Sequence, residues 1–436
     1  MKDVRDQILS TYDAQASKLS AQYQTVSSVD VLSGLKLRLP RQCALDIACG
    51  NGRDAKWLAG QGFTVDAVDG APGMIREARA VNAHDNVTYS VDLMPHLHGI
   101  REQVKRTGQK YDLIVMSAAW MHLDAPARAE MFQTLCALAN PGAVMFITLR
   151  HGPAPADRPM YAVSAEELRD MAADFLIHFE HMTDAKDDKL GRNDVWWDSV
   201  SLQMPTHHAD ALPVYRDSMI HAAKNTSYKL GFAHCFIDMI RRNPALLREV
   251  DDTRYAVPLG PMLPHWMRLY DGLAEQGLSQ IRPNRKLADP LNATRRFAAA
   301  AGGVSVADFT QNTVFEGLQA QAALRMMNMA RTAIVQDGPV RFITRPNGLH
   351  PVFTYAPATA QEPSGILSLE QDALCDRFGH LLVAKDVVRA GLDYAPLIDA
   401  GVQREWVRFT ARIAGVDIQD EQTHIKTALE RVLKTA

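Results

Sequence analysis

Two hydrophobic periods alternate along the first 205 residues. Short apolar runs end in Gly, Asp or Ser and give way to stretches whose apolar positions recur at helical spacing. Apolar runs ending at Ile47, Asp69 (from Phe63), Asp92 (from Asn86), Met116 (from Lys110) and Thr148 (from Ala143) predict five strands. Helices are predicted over 71–81 and 127–138, with Asn140-Pro-Gly142 as a turn between the second of these and the fifth strand. Ser164 with Glu167 three residues on reads as a capping box opening a further helix. Phe175–Glu180 and Val195–Leu202 complete the pattern with two more strands. Strands that alternate with helices predict an α/β fold with a mostly parallel sheet.

The pattern breaks at Met204-Pro-Thr-His-His-Ala-Asp-Ala-Leu-Pro213 and turns helical. Helices are predicted over 213–242, 263–278, 315–333, 369–379 and 419–434. Residues 339–344 and 351–355 read as a short hairpin, and the Pro/Ala/Ser-rich stretch 356–365 as an exposed connector. At 436 residues the chain is too long for one α/β domain of about 200, so a second domain is expected. The expected division is a helical lid over 1–29, an α/β domain over 30–205 and a mainly helical domain over 206–436.

The chemistry concentrates where the first two strands end. Leu45-Asp-Ile-Ala-Cys-Gly-Asn-Gly-Arg-Asp54 is an apolar strand followed by a glycine turn, and Gly50 and Gly52 let backbone approach a ligand closely. Asp69 stands about 20 residues on, where doubly wound folds hold a ribose. The glycines alone also fit a dinucleotide site, with Ala55 in the third glycine's place. Asp46 argues against pyrophosphate, because a carboxylate four residues before Gly50 repels it; a ligand presenting cations and a ribose is favoured. The segment resembles motif I of the class I S-adenosylmethionine-dependent methyltransferases, and Ala67-Val-Asp69-Gly-Ala-Pro-Gly-Met74 resembles that family's second-strand tip.

The resemblance covers residues 30–205 and implies a Rossmann-like seven-stranded sheet with S-adenosyl-L-methionine as cofactor. It implies cofactor contacts at Asp46, Ala48, Gly50, Gly52, Asp69, Gly70, Met74 and Ser117, with Asp92 near the adenine and Arg53 facing the methionine carboxylate. Tyr12 and Tyr23, eleven apart on one helical face, resemble the lid tyrosines of small-molecule methyltransferases, where a ring attracts the sulfonium. His122, after the fourth strand, is the candidate general base. Arg150 and His151 follow the fifth strand, while Trp120, Tyr161 and the Arg192–Trp197 run are candidates for the acceptor pocket. Trp196 and Trp197 also suit opposite faces of a strand. Ser117-Ala-Ala-Trp120 stands where DNA amino-methyltransferases carry Asp/Asn-Pro-Pro-Tyr/Phe, and no Pro-Cys nucleophile is present. The expected acceptor is therefore a small molecule or a protein side chain.

Composition narrows this further. Hydrophobic residues make up 47% and charged residues 22%, as in globular proteins. No apolar run reaches membrane-spanning length, and five scattered cysteines form no CxxC pair, so a reduced cytoplasmic protein is expected. From residue 206 onward 26 Lys and Arg stand against 24 Asp and Glu, a balance that does not by itself imply nucleic acid. Arg282, Arg285, Lys286, Arg295 and Arg296 form a local basic cluster, and a nucleic-acid-binding modification or defence protein is the alternative they leave open. Asn225-Thr-Ser-Tyr-Lys229-Leu-Gly-Phe and Pro264-His-Trp266-Met-Arg-Leu-Tyr270 resemble the helical region of some bacterial HNH endonucleases. No HNH motif with a zinc-binding CxxC follows, so nuclease activity is not expected.

Overall fold

The computed structural model describes residues 2–32, 35, 42–224, 226–280, 303–310, 312–336, 338–346, 348, 350–358, 365–416 and 422–435. The chain divides into two compact units, Met1–Thr206 and His207–Ala436.

The first unit opens with helices α1 (Lys2–Ala14), α2 (Ala16–Tyr23) and α3 (Ser28–Val31). A seven-stranded sheet follows: β1 (Cys43–Ile47), β2 (Thr64–Asp69), β3 (Val87–Val91), β4 (Tyr111–Met116), β5 (Ala139–His151), β6 (His178–Asp187) and β7 (Trp196–Gln203). Helices α4 (Arg53–Gly60), α5 (Pro72–Val81), α6 (His98–Thr107), α7 (Ala125–Leu138) and α8 (Ala165–Phe175) connect them. Spatial order is β3-β2-β1-β4-β5-β7-β6, parallel from β1 to β5, with β7 antiparallel to both its neighbours. This is the seven-stranded, Rossmann-like arrangement expected from the sequence.

All five residues of β1 are buried, as a strand covered on both faces requires. One face packs Trp120, Phe132, Leu135 and Leu149 against the sheet, and the other packs Leu58, Phe63, Tyr89 and Phe146. The expected capping box is half formed: Ser164 accepts the Glu167 amide, while the Glu167 carboxylate turns to Arg128 at 2.9 Å. Helix α6 was not anticipated, because Ile100 and Val104 are the sole large apolar residues in His98–Thr107, too few to mark a helical face in the sequence. Helices α1 and α2 lie on α5 through Ala16, Leu19, Ala71 and Met74, and the Gly73 amide donates to Asp13. Gln15 reaches Asp157 at 3.0 Å, tying the lid to the loop after β5.

The second unit is rich in helix. The single helix expected over 213–242 is two: a π-helical segment, Val214–Ile220, and α9 (Tyr228–Arg242). The break falls where His221-Ala-Ala-Lys leaves the helical path and buried Ser227 takes the position before α9, bonding Tyr270 at 3.0 Å. Helix α10 (Met262–Glu275) packs on α9, with Tyr228, Trp266 and Tyr270 in edge and tilted ring contacts. These are the residues of the endonuclease-like segment, and all three are core.

Strands β8 (Arg248–Glu249), β9 (Arg254–Pro258), β10 (Val314–Glu316), β11 (Phe353–Ala356), β12 (Ile366–Ser368) and β13 (His380–Ala384) make a four-stranded antiparallel sheet, β11-β13-β9-β8, and a β10-β12 pair. The expected 339–355 hairpin does not form. Pro339 begins a short helix, Pro339–Phe342, for which its fixed φ is suited, leaving one bridge between Thr344 and Pro351; β11 pairs with β13 instead. Further helices run over Gly317–Val335, Gln371–Phe378, Lys385–Asp393, Ala395–Ala414 and Gln422–Thr435. The basic cluster Arg282, Arg285, Lys286, Arg295 and Arg296 lies outside the described residues. No helix among the described residues is long and apolar enough to cross a membrane.

Gly52 fixes how the chain leaves β1. Its φ is +76°, and a Cβ there would stand 2.5 Å from the Tyr89 hydroxyl. Gly52→Ala is expected to destabilise the first unit by about 2 kcal/mol or more, through left-handed strain and overpacking; chemical denaturation showing a change under about 0.5 kcal/mol would contradict this.

Candidate functional site

The carboxyl ends of β1, β2, β4 and β5 surround a cavity of about 290 Å³, roofed by α1 and α2. Ala48, Gly50 and Gly52 all have positive φ, at 55°, 56° and 76°. The chain after β1 thus turns tightly, with Asn51 held by its side-chain amide to the Ser20 carbonyl at 3.1 Å. Ala118, after β4, is likewise left-handed at 56°, its amide bound to Thr148 Oγ1 at 2.8 Å. Such conformations cost an alanine about 1 to 2 kcal/mol each and persist only where the surroundings enforce them.

One end of the cavity is acidic. Asp46 is 1% exposed, opens on the cavity, and leaves Oδ2 without a hydrogen-bond partner. Burial, then the neighbouring Asp54, pushes its carboxyl well above the usual range. Asp69 accepts the Gly50 amide at 3.0 Å and the Ala71 amide at 2.8 Å, so each oxygen keeps capacity for another donor. Burial raises its pKa, with the Ala71, Gly50 and Gly70 amides opposing. Arg53 points its guanidinium at Asp54 through two bonds, 2.9 and 2.8 Å, and donates to the Tyr23 carbonyl at 3.2 Å. Asp92 lines the cavity while accepting the Leu93 and Ile100 amides, so its carboxylate also caps α6.

The other end carries the lid tyrosines and basic groups. Tyr12 Oη lies 3.1 Å from His122 Nε2, and the Arg158 guanidinium carbon sits 5.4 Å from the Tyr12 ring centroid. Burial drives the His122 pKa down to about 4, with the Pro159 carbonyl pulling the other way and Arg158 and Arg150 adding to the fall. Burial raises the Tyr12 phenol, so at neutral pH the imidazole is uncharged and the phenol keeps its proton. Arg192 pairs with Asp188 at 2.7 Å, and Trp197 Nε1 donates to the same carboxylate at 3.0 Å. Although burial opposes its ionisation, those bonds hold Asp188 below the usual carboxylate range.

Of the residues singled out from the sequence, Tyr12, Tyr23, Asp46, Ala48, Gly50, Arg53, Asp69, Gly70, Asp92, Ser117 and His122 line this one cavity. Two do not. Gly52 faces Tyr89 in the core, and Met74 is fully buried beneath Gly50, where it packs the lid helices on α5. Trp120 is also core, at 0% exposed, and does not line the cavity. Tyr161 is 37% exposed and points elsewhere. His151 leaves the cavity to Arg150: it bonds Asp198 at 3.1 Å and stacks on the exposed Trp196. Arg158 and Met160 were missed, because Gly152-Pro-Ala-Pro-Ala-Asp-Arg-Pro159 has no periodicity, and only its proline density marks a fixed loop. Among the described residues no group of His, Cys, Asp and Glu is arranged to hold a metal ion.

Sheet order and loop geometry define a class I S-adenosylmethionine-dependent methyltransferase domain, and the family model described as Methyltransferase domain matches residues 44–142. The chain belongs to the family described as Domain of unknown function (DUF8808), whose model matches residues 208–429, half of the chain. No curated protein matches it. Similar solved structures include a DhpI–SAH complex, 18% identical, covering 47% of this chain and 98% of that one at a TM-score of 0.35. Another is the phosphoethanolamine N-methyltransferase 2 of Haemonchus contortus, 17% identical over 47% of this chain and 60% of that one, TM-score 0.35. A third is a SAM-dependent methyltransferase from Anabaena variabilis, 19% identical over 45% and 94%, TM-score 0.35.

An acid with a raised folded pKa lowers stability as pH rises through the interval between its unfolded and folded values. Asp46→Asn is therefore expected to stabilise the protein at pH 7 by about 1 kcal/mol or more, by removing a desolvated charge. The advantage should shrink as acidification protonates the wild-type carboxyl. Thermal unfolding across pH checks both; an Asn variant less stable than wild type at pH 7 would contradict the assignment.

Proposed function

We propose that this chain is an S-adenosylmethionine-dependent methyltransferase acting on a small-molecule acceptor. The observation that carries the reading is buried Asp46, one of whose oxygens has no hydrogen-bond partner, lining the same cavity as Asp69. A buried carboxylate without a counter-ion suits an ammonium or sulfonium ligand and rejects a pyrophosphate. The donor set fits the cofactor of this domain class: Asp69 retains lone pairs for ribose hydroxyls, and Gly50 allows close backbone approach. When bound, S-adenosylmethionine supplies an electrophilic methyl group and leaves as the thioether S-adenosylhomocysteine.

The chain's own residues position the acceptor and exclude water, which is most of what such a transfer requires. Tyr12 and Tyr23 bring aromatic faces from the lid to the cavity. The His122 imidazole is uncharged at neutral pH, and its Nε2, beside the Tyr12 hydroxyl, is an acceptor in the tautomer that carries the proton on Nδ1. An acceptor N–H or O–H that takes the place of the Tyr12 hydroxyl can pass its proton to that nitrogen. The lid favours a small molecule over a protein side chain, because residues of α1 and α2 line the cavity together with the strand ends.

Asp69→Ala removes two acceptor oxygens and is expected to weaken S-adenosylhomocysteine binding by about tenfold or more; calorimetry returning wild-type affinity would argue against the reading. Incubation with labelled S-adenosylmethionine and cell extract, followed by fractionation, should place label in the small-molecule pool. Once an acceptor is found, His122→Ala should lower turnover by about 10² to 10⁴-fold with cofactor affinity unchanged. A loss under about fivefold would make His122 a packing residue.

A further inference from the structure

Arg150 is 6% exposed and lines the cavity, yet among the described residues no carboxylate forms an ion pair with it. Its Nη1 donates to the Gly152 carbonyl at 3.3 Å and its Nη2 to the Pro153 carbonyl at 2.9 Å, while Nε has no partner. A buried guanidinium held only by backbone carbonyls is a costly arrangement, because neither oxygen carries a full charge. Burial, then the neighbouring Arg192, presses against its ionisation, while Asp188 and Asp194 favour it from beyond bonding distance. Two nearby acids are engaged elsewhere. Asp188 is taken by Arg192 and Trp197, and Asp198 by His151 and His181 at 3.1 and 3.0 Å.

Arg158 repeats the feature in the same cavity. Its Nε is buried without a hydrogen bond; Asp157, 3.5 Å away, is 45% exposed and also bonded by Gln15, and the guanidinium otherwise meets the neutral Tyr12 and Tyr23 side chains. Two guanidiniums with incomplete hydrogen bonding thus line one cavity whose opposite end is acidic. A ligand with an anionic and a cationic part would be oriented by that polarity.

Resting on the methyltransferase reading above, we propose that the methyl acceptor carries an oxyanion, a phosphate, phosphonate or carboxylate, held by Arg150 and Arg158. Guanidinium donors in a fixed fork suit such planar or tetrahedral oxyanions. The anion gives Arg150 the counter-charge that the fold withholds. It also sets the acceptor's nucleophile on the Tyr12 and His122 side of the cavity.

The test is calorimetry on the intact chain, first with S-adenosylhomocysteine and then, with that ligand saturating, with inorganic phosphate and with acetate. Saturable binding of phosphate or acetate is expected, and whichever binds more tightly identifies the kind of oxyanion. Arg150→Met should weaken it about tenfold or more while leaving S-adenosylhomocysteine affinity within about threefold. Should Arg150→Met not fold, Arg158→Met carries the same comparison. The proposal is overturned if neither anion binds the loaded wild type, if the variant binds them equally well, or if the loss falls on S-adenosylhomocysteine instead. Failure of S-adenosylhomocysteine to bind the wild type would instead overturn the cofactor reading on which the proposal rests.

Discussion

Everything in the first unit that bears on chemistry follows from one topological fact: the strand order reverses between β1 and β4. The connection after β1 runs to β2 and β3 on one side, and that after β4 runs to β5 on the other. The two loops therefore part at the carboxyl ends of adjacent strands, and a crevice opens there whatever the side chains. Left-handed residues on both loops, Ala48 and Ala118, mark how sharply the chain must turn away. The lid helices α1 and α2 close that crevice because Met74 and Ala71 give them an apolar seat on α5.

The cavity this produces is polarised. Asp46 and Asp69 stand on strand tips β1 and β2, and Arg150 and Arg158 come from the end of β5 and the loop beyond it. Between them His122 and Tyr12 form a neutral pair, their pKa values forced apart by burial. The protein keeps Asp46 and Arg150 buried and incompletely partnered, which costs stability. Each lines the cavity, where on the proposed reading a charged ligand would recover that cost.

Much of this was legible in the sequence. The order of strands and glycine turns defined the fold, and eleven of the thirteen selected cofactor and catalytic residues line one cavity. Gly52 and Met74 sit in matching segments, but the left-handed turn at Gly52 and the helical geometry of α5 direct them into the core, which no linear motif encodes. Arg158 lies on an aperiodic loop whose path depends on contacts with the lid. In the second unit the predicted hairpin failed because β11 finds its partner in β13, beyond residue 379. The helix Ala395–Ala414 was missed because Glu405, Arg408 and Arg412 interrupt its apolar face with charges that pair among themselves and with Lys224.

The central claim is that the acidic crevice selects an ammonium-bearing nucleoside without phosphates over a dinucleotide. Its most direct measurement is a pair of calorimetric titrations of the intact chain, one with S-adenosylhomocysteine and one with NAD⁺. The account predicts saturable one-site binding of S-adenosylhomocysteine and none of NAD⁺, because Asp46 beside the glycine turn repels a pyrophosphate. Binding of NAD⁺ with no binding of S-adenosylhomocysteine would contradict it.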